Sequence, residues 1–199
     1  MSEAQVLIAE LDATLQRVTS SQHVTMLRRV TDLFVNWAES FAGEHVAVFD
    51  DVMSRLMEKA DRPALIELSA RLAPIDNAPP SVIDRLARHE DISIAGPILQ
   101  KSNVDELTLA EVAGSKAEKH LAAIANRPLI SEAVTDVLVG RCSAETARKI
   151  AENKDVSFSE VGFVKLINRA KSDKALATAI ESRTDLPPEL EPFLQLTLA

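Results

Sequence analysis

Apolar residues recur along this chain at helical spacing, and the helices they mark repeat. Leu68, Ile98, Ile124, Ile150 and Ile180 form one column with steps of 30, 26, 26 and 30 residues. One helix upstream, Leu56, Leu86, Val112 and Leu138 form a second apolar column at the same steps, and Ile167 joins it if one loop residue is inserted. Self-similarity at a period of roughly 20 to 50 residues is the signature of stacked helical pairs. Seven residues before the first column stand Asp61, Asp91, Ala117, Ser143 and Asp173, and three after it stand Arg71, Lys101, Arg127, Asn153 and Arg183. An oxygen-bearing side chain at a helix start accepts the orphan amides of the first turn, and a cation near the end complements the helix dipole. The columns therefore predict a short second helix in every period. Where the capping column shows Ala117, the Ser115/Glu118 spacing predicts a capping box that starts the helix early.

The first helix of each pair is predicted over about 47–58, 80–88, 105–113, 131–139 and 159–170, opened by Pro80, by Ser131 and by a Ser157/Glu160 capping box. Upstream, a Ser2/Gln5 box opens a helix over 2–20. A further helix over 22–42 carries Leu27, Val30, Phe34, Trp37 and Phe41 at 3-4-3-4 spacing before Gly43 ends it. These two helices belong to no repeat, so residues 1–43 are expected to cap the array, or else to offer that seam to a second chain. Residues 44–199 are expected to form one continuous array of about five helical pairs, an all-α right-handed superhelix, because a lone helical pair is too thin to bury both its faces. Gly96-Pro97 falls inside a predicted helix, where proline deletes a backbone bond and frees the Ser93 carbonyl, so a kink is expected there.

Charge and composition narrow the function. Thirty acidic against 22 basic residues leave a formal charge of -8, which disfavours nucleic acid as a partner. One tryptophan, six phenylalanines and no tyrosine give few platforms for stacking bases. The longest uninterrupted apolar run, Leu121 to Ala125, is far shorter than the roughly 20 residues of a membrane span, so no membrane partner is expected. A single cysteine, Cys142, cannot form an internal disulfide, which fits the cytoplasm.

The run Leu86-Ala87-Arg88-His89-Glu90-Asp91, followed by Ile94-Ala95-Gly96-Pro97-Ile98-Leu99 and Ser102, resembles a bacterial helical-repeat family known as domain-of-unknown-function 2336. So do Leu27-Arg28-Arg29-Val30-Thr31-Asp32-Leu33 and Arg183-Thr184-Asp185-Leu186-Pro187-Pro188, which extends the likeness from about residue 25 to 192. The resemblance implies a HEAT-like architecture and supplies no catalytic residue, ligand or partner.

No constellation for catalysis, cofactor or metal is found. His23, His45, His89, His120 and Cys142 match no zinc spacing. His120 falls in an apolar column and is expected to be partly buried, whereas Cys142 aligns with Glu90 and Lys116 and is expected at the surface. No phosphate-binding glycine motif is present. What remains is recognition: a non-catalytic protein-binding scaffold, with a structural or self-assembly module as the alternative and a HEAT-like DNA-repair glycosylase as a remoter one. Arg71, Lys101, Arg127 and Arg183 share a column, so they are the candidate partner-binding edge for an acidic protein, with helix-end capping as the competing explanation. Leu190, Phe193 or Leu194, and Leu198 predict a last amphipathic helix over 188–198 that is expected to be covered by a second copy in a weak homodimer, or else by a partner or by sequence absent from this chain.

Overall fold

The computed structural model describes residues 20–101 and 103–198. The expected helix over 2–20 and its Ser2/Gln5 box lie outside the described residues. The described residues form twelve α-helices and two 3-10 turns, with no strand among them. The protein is all-α, and it divides into two compact units, 1–103 and 104–199. That boundary falls inside the stretch 44–199 which the sequence reading treats as one unit.

The first unit contains α1 (Ser20–Trp37), α2 (Gly43–Met57), α3 (Arg62–Leu72), α4 (Pro80–Ala87) and α5 (Ile92–Lys101). Here α1 packs on α2 and α3, α2 on α4, and α3 and α4 on α5. The second unit contains α6 (Glu106–Ser115), α7 (Glu118–Ile124), α8 (Glu132–Arg141), α9 (Ala144–Glu152), α10 (Glu160–Ala170), α11 (Lys174–Glu181) and α12 (Glu191–Leu198). In it α6 packs on α7 and α8, α8 on α10, α9 on α11, and α10 and α11 on α12. Helices two apart in the chain are thus neighbours within each unit.

Both apolar columns are core. Ile98, Ile124, Ile150 and Ile180 are fully buried, Leu68 nearly so, and Leu56, Leu86, Val112, Leu138 and Ile167 are buried as well. The capping column also forms. The side chains of Asp61, Ser143 and Asp173 accept the amides of Ala64, Thr146 and Leu176, and Asp91 accepts that of Ser93. Arg62 donates to Asp91 at 2.5 Å, and together with the Ser93 amide it holds the Asp91 carboxyl at about 2, below the usual carboxylate range.

Three local expectations are corrected. Ser115 does not cap α7. Its hydroxyl donates to the Glu111 carbonyl, Ala117 holds the N-cap position, and Glu118 reaches forward to accept the Ser143 amide and the Thr146 hydroxyl at the start of α9. Burial opposes ionisation of Glu118, yet those bonds pull its carboxyl below the usual value. Ser159, not Ser157, caps α10 through the Gly162 amide. Gly43 begins α2 instead of ending α1, which stops at Trp37 and passes into a 3-10 turn so that Phe41 can stack on Phe49, 5.0 Å between centroids, and meet Phe34. Proline 97 lies within α5, which runs on through it as one helix to Lys101.

Gly162 shows how closely one repeat is fitted to the next. A Cβ there would stand 2.6 Å from Asp136 Oδ1, and both oxygens of Asp136 accept the Ser159 hydroxyl at 2.8 Å. Glycine to alanine within a helix ordinarily gains about 1 kcal/mol. Gly162→Ala is expected instead to lose about 1 kcal/mol, because moving Asp136 aside breaks its bond with the hydroxyl of Ser159, which orients the residue that caps α10. A melting curve in which the variant gains stability would contradict this contact.

Candidate functional site

The four cations of the candidate edge sit at helix ends, but in unlike surroundings. Arg71, in the last turn of α3, donates to Asp32 of α1 at 2.6 Å. Lys101 is exposed at the last position of α5. Arg127 follows α7 half-buried, and burial pulls its guanidinium below the usual arginine value. Arg183 is buried. Its guanidinium donates to the carbonyls of Ala151, Asn153 and Val156 and to both oxygens of Asp185, and lies 4.6 Å over the ring of Phe158. Asn153, from the same column, donates to the carbonyls of Arg127 and Pro128. In the second unit, then, Asn153 ties down the loop after α7, Arg183 caps the carbonyl end of α9, and Arg183 is not a surface cation.

The sequence columns miss a second set of such staples. Arg85 donates to the Ser54 carbonyl, Arg141 to that of Ala113, and Arg169 to those of Val139 and Cys142. Each therefore joins the end of one first helix to the helix before it in that layer. Positions 85, 141 and 169 are 56 and 28 residues apart, and Ala113 fills the intervening position.

The reactive side chains are likewise absorbed by the structure. Cys142 is buried, not exposed as expected, because Arg169 lies across it with Nη1 3.8 Å from Sγ. Burial pushes its thiol up, which makes it a poor nucleophile. His120 is buried in α7, as expected of its column. Among the described residues no three His, Cys, Asp or Glu side chains converge as metal ligands, and no helix is long and apolar enough to cross a membrane.

The surface that stands out lies on the second unit, between α10 and α12. Helix α12 turns Leu194 inward, 1% exposed, while Phe193 and Leu196 are 59% and 78% exposed. Helix α10 buries Phe163, Leu166 and Ile167 and leaves Val161 and Val164 outside. Between the two helices runs an open groove of about 440 Å³ lined by Val164, Ile167, Phe193 and Leu196, with Leu190 nearby and Asn168, Lys171 and Thr197 as polar contributors. Scattered apolar residues are ordinary on a protein surface, but a contiguous apolar groove with polar margins marks an interaction site. The spacing of Leu190, Phe193 or Leu194, and Leu198 foretells an amphipathic α12, but of these Leu194 turns inward while Phe193 and the off-pattern Leu196 line the groove. The α10 side is hidden because Val161-Gly162-Phe163-Val164 is apolar all round, so spacing alone does not separate inner from outer residues.

Residues 94–191 match the family described as an uncharacterised protein conserved in bacteria (DUF2336). That segment, just under half of the chain, is where the chain is similar to DUF2336. It opens within α5, holds α6 to α11 entire and ends at the first residue of α12. The resemblance from residue 25 onward therefore extends N-terminally beyond the match. The DUF2336 segment contributes Val164, Ile167, Asn168, Lys171 and Leu190 to the groove, and Phe193, Leu196 and Thr197 follow it. No curated protein and no solved structure matches the chain.

Proposed function

We propose that this protein is a non-catalytic binding scaffold that receives an amphipathic helix of another protein in the groove between α10 and α12. The observation that carries the reading is the pair Phe193 and Leu196, two large apolar side chains largely exposed beside Val164 on a neighbouring helix. Helix-in-groove recognition needs a surface of this kind, with apolar anchors from the incoming helix filling it. Lys171 at the margin favours an acidic flank on the incoming helix. The buried, arginine-covered Cys142 and the carboxylates spent on helix starts support a non-catalytic role.

The finer architecture belongs to the same proposal: about five helical pairs, HEAT-like, wound as a right-handed superhelix behind an N-terminal cap. The repeating columns and the packing, within each unit, of most helices two apart in the chain support it. The acidic balance supports a protein over a nucleic acid as partner, and a lone cysteine supports a cytoplasmic setting.

Phe193→Asp with Leu196→Asp is expected to abolish capture of the partner from extract of the native host, with at least about a tenfold drop, while the melting temperature stays within a few degrees of the parent. Capture of the same protein at equal yield by the double variant would remove the groove from the account. The same patch also suits a second copy of the chain. Light scattering over a range of concentrations separates the two readings: self-assembly predicts a mass that rises with concentration and a double variant that stays monomeric.

A further inference from the structure

A second cavity, on the first unit, has a different chemistry and stands apart from the α10–α12 groove. Helix α1 ends at Trp37, and the 3-10 turn Ala38–Ser40 is pinned in place by two bonds. Ser40 donates its hydroxyl to the Trp37 carbonyl at 2.7 Å, and Asn77, from the loop after α3, donates its amide to the Ala38 carbonyl at 2.5 Å. Between this turn and residues 74–77 lies an open cavity of about 710 Å³. Its walls include Trp37, Glu39, Ile75 and Asp76, and no lysine or arginine lines it. The indole of Trp37 is 60% exposed, and Glu39 and Asp76 are exposed as well.

We propose that this cavity binds an organic cation, a guanidinium or alkylammonium group that lies against the Trp37 indole while Glu39 and Asp76 balance its charge. Three sources of negative potential border the cavity. The carbonyl end of the 18-residue helix α1 carries the negative pole of its dipole. Two carboxylates stand on the walls. The indole face is the aromatic surface most attractive to a cation. An anion is repelled by all three, and a purely apolar group would strip water from both carboxylates without replacing it. The cation can reach the site as an arginine or lysine side chain of a protein segment, or as a free small molecule, and these sources share the same chemistry.

The composition provides a direct readout. Trp37 is the single tryptophan and there is no tyrosine, so the indole emission of the intact protein reports this cavity alone. The probes are a short arginine-rich peptide, its citrulline counterpart, arginine methyl ester and tetramethylammonium. A saturable change of emission is expected with the arginine peptide and not with the citrulline peptide, and added salt weakens it. The Glu39→Gln/Asp76→Asn double variant is expected to weaken binding about tenfold or more with unchanged melting. Removing the same charge from α9, by Glu145→Gln with Glu152→Gln, is expected to leave binding as it was. Saturation by the peptide alone assigns the cation to a protein segment, and equal saturation by the small cations assigns it to a free ligand. A linear, non-saturating response, equal binding of the citrulline peptide, or equal loss in the two double variants would overturn the proposal.

Discussion

Truncating Ile124 to alanine is expected to destabilise the protein by about 2 to 5 kcal/mol, measured as a shift of the denaturant midpoint at unchanged slope. Ile124 is fully buried near the end of α7, and it shares a column with Ile98, Ile150 and Ile180, all equally buried. A cavity at this point loses both the transfer energy of the removed carbons and the contacts of the atoms that lined it. Helix α7 has only 7 residues, so little of its stability is intrinsic and most comes from packing. A variant as stable as the parent would mean that the column does not mark the core.

Replacing Arg183 is the other large effect, and its origin is polar. Arg183→Met is expected to cost about 2 to 4 kcal/mol, because it leaves buried carbonyl acceptors without a donor, whereas Asp185 is partly exposed and can be hydrated. The carbonyls of Ala151 and Val156 accept from this guanidinium in buried surroundings, and those of Asn153 and Asp185's carboxylate complete its shell. Arg183→Lys recovers only part of the loss, because a single ammonium cannot donate in a plane to several carbonyls while lying over Phe158. Lys101→Ala, at the equivalent position on α5 but exposed, is expected to change stability by less than about 0.5 kcal/mol. Equal costs at 183 and 101 would contradict the distinction between a staple and a surface cation, and chemical denaturation of the three variants measures it.

That distinction shows where the sequence is readable and where it is not. Burial imposes a residue type at each recurrence, so Leu68, Ile98, Ile124, Ile150 and Ile180 announce themselves by spacing. N-caps are nearly as legible, since Asp61, Ser143 and Asp173 bond amides only three residues away. Long-range polar bonds are not. Glu118 has the spacing of a local capping box with Ser115, but its carboxylate serves Ser143 and Thr146, 25 and 28 residues on. Cys142 occupies a column position shared with polar residues and is nonetheless covered by Arg169, 27 residues away. The Arg85, Arg141 and Arg169 staples keep a 28-residue register while the apolar column steps by 30, 26, 26 and 30, so neither pattern reveals the other. The candidate edge was legible as a set of helix-end positions, yet whether a cation there faces water, like Lys101, or carbonyls about 30 residues earlier, like Arg183, is set by long-range contacts that spacing does not carry.

The groove reading is tested most directly by hydrogen exchange of the intact chain with and without its captured partner. The account predicts slowed exchange on partner binding in residues 161–171 and 190–197, the segments that contain Val161, Val164, Lys171, Phe193 and Leu196, with the amides of α7 and α9 unchanged. Protection that leaves both of those segments untouched would contradict it.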